Sequence, residues 1–178
     1  MKRFLPFIIF IATLTGCATK TEGEKFVDDL MERMTLREKI GQMSQFITKT
    51  SMPTGPGGER MDISDLIKAG NVGSILSVRN PEEIYGLQRL AVDSSRLGIP
   101  ILFGHDIIHG CKTIFPINLA CACTWDPEAV KESARVAAKE TAALGIAWTF
   151  SPMCDVSADP RWGRVSEGSG EDPYLGIC

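Results

Sequence analysis

Residues 99–111 read IPILFGHDIIHGC, an apolar run followed at once by a polar loop. The run at 99–104 is apolar without alternation, which is typical of a parallel strand that is covered on both faces. The loop at 105–111 follows the carboxyl end of that strand. In parallel α/β folds ligands bind at this end of the sheet. The stretch therefore predicts a buried strand that leads into a candidate binding loop.

The surrounding chain alternates between extended and helical segments. Further apolar runs at 73–78 and 146–150 predict two more strands. Each of the dipeptides Asn80-Pro81, Asp126-Pro127 and Asp172-Pro173 places a capping residue before a proline, which is the usual start of a helix. Strand, helix, strand, helix, strand predicts an α/β fold with a parallel sheet covered by helices.

Two helices are predicted before the first of these strands. Thr35 and Glu38 have the spacing of a capping box, so a helix should begin after Thr35. The helical spacing of apolar residues predicts one apolar face in each helix. The predicted faces consist of Phe26, Leu30 and Met34, and of Leu36, Ile40 and Met43.

Composition excludes some classes of function. The 178 residues correspond to roughly one domain. The chain has 19 basic and 22 acidic residues, and no basic run supports binding to nucleic acid. Its six cysteines lack the regular spacing of a disulfide framework, and we expect Cys111, Cys121 and Cys123 to pack as small apolar side chains.

The N-terminus has the features of an export signal. Lys2 and Arg3 precede an apolar run at 4–14, which is too short for a stable transmembrane helix of about 20 residues. The tetrapeptide ending at Cys17 resembles a bacterial lipobox, which predicts a lipoprotein signal peptide at 1–17 with Cys17 acylated. A plain signal peptide is the alternative. We predict a structureless tether at 18–24, a domain at 25–178, and a periplasmic or outer-membrane location.

The loop after the strand at 99–104 holds the first candidate site residues. Asp106 has a carboxylate that can accept hydrogen bonds from two vicinal hydroxyls, or that can cap local amides instead. His105 and His109 resemble the H-E-x-x-H zinc motif, which requires a helix. Because Gly110 follows at once, we predict a loop and no metal site.

A second polar loop, DPRWGRVSEGSGEDP, spans residues 159–173. Arg164 can form an ion pair with Glu167 or Glu171, or its guanidinium can donate two hydrogen bonds to neighbouring sugar hydroxyls. Trp162 can stack on a sugar or fill the core, and Arg161 can be a solvated loop residue. From residue types alone, these alternatives stay open.

Four segments together carry a resemblance that spans nearly the whole chain after residue 24. The chain resembles the N-terminal part of glycoside hydrolase family 3, especially the exported bacterial β-glucosidases. The segments are MTLREKIGQM (34–43), GIPILFGHDIIHGCKTIFPI (98–117), TWDPE (124–128) and FSPMCDVSADPRWGRVSEGSGEDPYLG (150–176). The resemblance implies an incomplete N-terminal portion of a (β/α)8 TIM-like barrel. It also implies retaining hydrolysis of terminal, non-reducing β-D-glucosyl residues without a cofactor.

The resemblance also implies roles for single residues. Asp106 and Arg164 correspond to residues that bind hydroxyls of the terminal sugar. Supporting roles in the loop fall to Glu167, Glu171, Trp162 and Arg161. The nucleophile and the acid/base of the family are expected beyond residue 178, so we predict that this chain alone is inactive. A non-catalytic sugar-binding lipoprotein of the cell surface is the alternative function.

Overall fold

The computed structural model describes residues 20–48 and 62–177, in which seven α-helices and four β-strands are found. The chain divides into two compact units, with the boundary between Arg33 and Met34. The predicted signal peptide at 1–17, with Cys17, lies outside the described residues. So does the predicted loop at 52–58.

The first unit contains helix α1, Glu22–Arg33. The amide of Thr21 donates to Glu24 Oε2 at 2.7 Å, and the amide of Glu24 donates to Thr21 Oγ1 at 3.3 Å. This reciprocal cap begins the helix inside the segment predicted as a tether at 18–24. The prediction of a structureless tether is therefore wrong for residues 22–24.

The second unit is built on a parallel sheet. Its strands are β1 (Gln45–Ile47), β2 (Ser74–Leu76), β3 (Leu102–His105) and β4 (Trp148–Thr149). The strands are hydrogen-bonded in chain order, and every pair is parallel. The predicted α/β fold is confirmed, and β1 is a strand that the sequence did not predict.

Helices connect the strands, and side-chain caps begin several of them. Asp62, Asn80 and Asp126 each accept a hydrogen bond from an amide in the first turn of the helix that follows. Within residues 20–48 and 62–177, no helix is long and apolar enough to cross a membrane. The helices of this unit are α2 (Leu36–Gln42), α3 (Ile63–Lys68), α4 (Pro81–Ser94), α5 (Asn118–Ala122), α6 (Pro127–Ala143) and α7 (Pro173–Ile177).

The core lies on one face of the sheet. Ile75 on β2 is fully buried, and its register partner on β3 is Phe103, which is 2% exposed. Register partners in a parallel pair point to the same face. The same cluster includes side chains from α4 and α6, namely Ile84, Ala91 and Ala137. Leu102, adjacent to Phe103 and therefore on the opposite face, is exposed.

Helix α2 begins as predicted but buries a different face. The capping box of Thr35 and Glu38 is present. The predicted apolar face is nevertheless exposed, with Leu36 at 74% and Met43 at 81%. The buried residues of α2 are Glu38 and Gly41. A Cβ at Gly41 would lie 2.4 Å from the carbonyl oxygen of Gly70, so the close approach of two backbones decides which face is buried.

The cysteines are packed only in part as predicted. Cys111 is buried, Cys121 is partly buried, and Cys123 is exposed. The prediction of an apolar packed side chain is therefore wrong for Cys123. This residue caps the carboxyl end of the short helix α5, where solvent reaches it.

Candidate functional site

Asp106 stands at the carboxyl end of the sheet. It follows His105, the last residue of β3, and its side chain is exposed. Within the described ranges the carboxylate has no hydrogen bond and no ion pair. The alternative in which Asp106 caps local amides therefore has no contact to support it, and the carboxylate is open to a ligand.

Arg164 is held by a carboxylate three residues further on. Its Nη2 lies 2.6 Å from Glu167 Oε2, and its Nε donates to both Glu167 oxygens at 3.1 and 3.2 Å. Nη2 also lies 3.1 Å from Met153 Sδ. Glu167 is the last residue of a short 3₁₀ turn, Val165–Glu167, that follows Arg164 directly. This turn brings the side chains of Arg164 and Glu167 together. The structure thus contains the ion pair that the sequence left open.

The pKa values of Arg164 and Glu167 reflect their ion pair and the charges near it. Hydrogen bonds from Arg164 lower the pKa of Glu167. The pKa of Arg164 is raised, first by the hydrogen bond to Glu167 and then by its charge, with smaller contributions from the charges of Asp155 and Asp106. Asp106 is therefore close enough to Arg164 for the two charges to interact, although 58 residues separate them in the chain. The open carboxylate of Asp106 at the end of β3 and the ion-paired guanidinium of Arg164 thus lie within electrostatic range of each other.

The loop around Arg164 is braced from two sides. Asn118, the first residue of α5, donates from Nδ2 to the carbonyl oxygen of Glu167 at 2.7 Å. Gly168 is buried, and a Cβ there would lie 3.2 Å from the carbonyl oxygen of Asp155. Ser157 donates its amide to the carbonyl of Gly170 at 3.0 Å. These contacts attach the loop to α5 and to the segment at 155–157, and the ion pair with Glu167 orients the guanidinium of Arg164 on it.

The other predicted supporting residues are less central. Arg161 pairs with Asp159 at 2.5 Å, and its side chain is 88% exposed. Trp162 is half-buried. Glu171 is exposed and forms no ion pair with another described residue. Glu167, not Glu171, is the acidic partner of Arg164.

Neither histidine lies on a helix, as predicted, but only His109 lies in the predicted loop, because β3 extends one residue further than expected and ends at His105. His105 is buried, and its Nε2 accepts a hydrogen bond from Nε of Arg79 at 2.5 Å. Burial, followed by the charge of Arg79, lowers the pKa of His105. His109 is exposed, and its Nδ1 lies 3.1 Å from the carbonyl oxygen of Phe115. In the described part of the chain, no group of three or more His, Cys, Asp or Glu side chains has an arrangement that suits a metal ion.

A cavity of about 770 Å³ lies beside α5, α6 and β4. Apolar residues such as Ile107, Val130 and Trp148 form much of its wall. Neither Asp106 nor Arg164 lines it. The polar groups that suit a hydroxyl-rich ligand are at the strand ends, and we therefore place the candidate site there.

Sequence reasoning missed several residues of this region. Met153 and Asp155 contribute to the surroundings of Arg164, and Glu140 of α6 binds the loop that begins at Asp106. These contacts join residues that are 9 to 28 positions apart in the chain, and no local spacing signals them. The site as a whole offers an acceptor carboxylate and a donor guanidinium, a combination that binds neighbouring hydroxyl groups.

Comparison with known proteins identifies the family of the chain. Residues 35–177 match the family model described as the Glycosyl hydrolase family 3 N terminal domain. The chain is 43% identical over 157 residues to the periplasmic beta-glucosidase of Salmonella typhimurium, covering 88% of this chain and 20% of that protein. It is 36% identical to a beta-xylosidase of Formosa agariphila, covering 86% of this chain and 17% of the relative.

Solved structures show the same fold. The beta-glucosidase from Listeria innocua in complex with isofagomine superposes with a TM-score of 0.74 at 43% identity, covering 86% of this chain and 21% of that one. The complex of the same enzyme with glucose gives a TM-score of 0.71 at 39% identity, covering 85% and 22%. These matches confirm the predicted fold class, the N-terminal portion of a (β/α)8 barrel. The chain spans about a fifth of the length of these relatives.

Proposed function

The chain belongs to glycosyl hydrolase family 3, and from this premise we propose that it carries part of the sugar-binding site of a β-glucosidase. The reaction is retaining hydrolysis of terminal, non-reducing β-D-glucosyl residues. In this proposal Asp106 and Arg164 bind hydroxyls of the terminal sugar, and Glu167 holds Arg164 in place.

The observations that carry the proposal are the open carboxylate of Asp106 at the end of β3 and the guanidinium of Arg164, which pairs with Glu167 and whose pKa the charge of Asp106 helps to raise. A carboxylate accepts hydrogen bonds from two hydroxyls, and a guanidinium donates to two. Since Arg164 is already held by Glu167, little conformational entropy is lost when a sugar binds. This pairing of acceptor and donor suits a neutral, hydroxyl-rich ligand better than an anion, which Asp106 would repel.

Binding of glucose to the full chain tests the proposal. We expect isothermal titration calorimetry to detect binding, and Asp106→Asn to weaken it about 10-fold or more, the cost of losing a hydrogen bond to a charged group. Asp65→Asn in α3 is the matched control, because it makes the same change at an exposed surface position and should bind as the native chain does. Equal affinities for Asp106→Asn and the native chain would contradict the assigned role.

The proposal gives Asp106, Arg164 and Glu167 no part in the catalytic step. Retaining hydrolysis needs two carboxyl groups about 5 Å apart, one of them a free nucleophile. Glu167 and Asp159 are each engaged by an arginine, whose hydrogen bonds lower their pKa values. The family resemblance assigns neither catalytic carboxyl group to a residue of this chain, and we therefore expect no hydrolysis of an aryl β-glucoside by this chain alone. Turnover that Asp106→Ala abolishes would contradict this expectation.

Glucose is the proposed sugar, because the Salmonella and Listeria relatives are named β-glucosidases. The Formosa relative is named a β-xylosidase, which makes xylose the comparison to run. Xylose lacks the hydroxymethyl group of glucose. Titration of both sugars against the same chain decides between them, and tighter binding of xylose would refute the choice of glucose.

Export and anchoring complete the proposal. The Salmonella relative is named periplasmic, and residues 1–17 have the sequence features of a lipoprotein signal peptide. We expect acylation at Cys17, detected by incorporation of a labelled fatty acid in cells. The label should be lost in Cys17→Ser. Export without label in the native chain would leave a plain signal peptide as the correct interpretation.

A further inference from the structure

The loop that begins at Asp106 is tied to helix α6 by one carboxylate. Glu140 Oε2 accepts hydrogen bonds from the amides of Lys112 and Thr113, both at 2.8 Å. Glu140 Oε1 accepts a third hydrogen bond from Thr113 Oγ1 at 2.7 Å. The partners are 27 and 28 residues apart in the chain, so these are tertiary contacts.

The three hydrogen bonds favour the ionised form of Glu140. Its pKa is lowered, first by the hydrogen bond from the Thr113 side chain and then by the one from the Thr113 amide, with the Lys112 amide adding to them. Hydrogen bonds to a charged acceptor are stronger than those between neutral groups. Glu140 is thus a strong attachment point for the two consecutive amides.

The backbone between Asp106 and Thr113 turns sharply to reach this attachment. Gly110 has a φ of +125°, and a Cβ there would lie 2.1 Å from the carbonyl oxygen of Thr113. The amide of Phe115 donates to the carbonyl of His109 at 2.8 Å, which closes the turn. One end of the loop is therefore fixed by β3, and the other by Glu140.

We propose that Glu140 is a positioning residue of the sugar site, which holds the loop so that Asp106 presents its carboxylate at the carboxyl end of β3. This inference rests on the proposed function, since it assigns Glu140 a role in binding the same sugar. Glu140 does not contact the ligand in this proposal. It acts through the amides of Lys112 and Thr113 and through the loop that they belong to.

The test compares Glu140→Gln with the native full chain. An amide has only one acceptor oxygen, so glutamine cannot accept all three hydrogen bonds. We expect glucose affinity, measured by calorimetry, to fall about 3-fold to 10-fold, within the range of coupling between residues of one hydrogen-bond network. Hydrogen exchange followed by NMR should show the amides of Lys112 and Thr113 exchanging faster in the variant.

Three control variants separate positioning from a general loss of charge or stability. Glu132→Gln makes the same change on the same helix, where the Glu132 carboxylate pairs with Arg135 one turn away and with no other residue of 20–48 and 62–177, and should leave affinity unchanged. Thr113→Ser keeps the hydroxyl and should bind as the native chain does. Ile75→Val loses core packing alone and should bind glucose normally at a temperature at which it is folded.

The possible results distinguish the positioning role of Glu140 from its attachment to the loop and from the proposed function. Faster exchange of both amides with unchanged glucose affinity in Glu140→Gln overturns the positioning role, and unchanged exchange overturns the attachment itself. If Glu140→Gln does not fold, Thr113→Val removes a single hydrogen bond and takes its place, and native affinity in that variant overturns the proposal. A native chain that binds no glucose refutes the proposed function, and this inference with it.

Discussion

Replacing Ile75 with alanine removes three carbon atoms from the most buried side chain of the sheet. Ile75 is 0% exposed and belongs to the core cluster that includes Phe103 and Ile84. The lost transfer free energy is about 0.8 kcal/mol for each carbon. The cavity that remains adds to this, so that the expected loss in the free energy of unfolding is about 3–5 kcal/mol.

Urea unfolding followed by circular dichroism measures this loss. The midpoint should fall while the slope of the transition stays the same, because the variant exposes nearly the same surface on unfolding. The expected fall in melting temperature is about 10 °C, at about 2–4 °C for each kcal/mol in a chain of this size. Leu102→Ala on the neighbouring strand is the control. It removes the same number of carbons from a side chain that is 44% exposed, and should cost about 1 kcal/mol.

The comparison of the two variants tests where the core lies. Ile75 and Leu102 are on opposite faces of the sheet, because Leu102 pairs with Ser74, the neighbour of Ile75. Ile84 and Ala91 of α4 and Ala137 of α6 belong to the same core cluster as Ile75. An equal loss of stability in both variants would show that both faces are packed, and would refute this assignment.

Further predictions concern backbone contacts and charge. Gly73→Ala should destabilise the chain, because a Cβ would lie 2.0 Å from the carbonyl oxygen of Gln42. Gly86→Ala should stabilise the chain by about 0.5–1 kcal/mol, because Gly86 lies in the middle of α4 with open space around it. Thermal unfolding of both variants checks the direction of each change. Glu38 has its pKa lowered from 4.5 to about 2, first by the hydrogen bond from Arg96 and then by the amide of Thr35. As the pH falls, the Glu38 carboxylate is therefore protonated in the unfolded chain before it is protonated in the folded chain. The contribution of Glu38 to stability is fully present above pH 4.5 and is lost toward pH 2. Urea midpoints measured across this range should fall more steeply for the native chain than for Glu38→Gln, and parallel curves would contradict the assignment.

Local signals predicted much of the fold, because they depend on contacts within a few residues. The caps at Thr35, Asn80 and Asp126 were read from the sequence and are present in the structure. The buried face of α2 was not predicted, because it depends on the close approach of Gly41 to Gly70, a contact between residues 29 positions apart. Strand β1, Gln45–Ile47, lies in a segment with only two consecutive apolar residues, Phe46 and Ile47, and therefore lacks the longer runs at 73–78 and 146–150 that predicted β2 and β4.

The candidate site was predictable in its members but not in its arrangement. Residue types and the family resemblance singled out Asp106 and Arg164, and the spacing to Glu167 allowed an ion pair. Nothing local indicated that Met153 lies against Arg164, or that Glu140 binds the loop after β3. Such contacts arise only when the parallel sheet brings the ends of neighbouring strands to one edge.

The chemical shift of the Arg164 Nε–H group in the presence of glucose tests the central claim most directly. If Asp106 and Arg164 bind the same sugar, this signal moves during a glucose titration of the native chain. In Asp106→Asn it should move only at about 10-fold higher glucose concentration or more, because one of the two partners of the sugar has lost its charge. A signal that does not move in the native chain, or that moves equally in both proteins, would contradict the account of a shared sugar site.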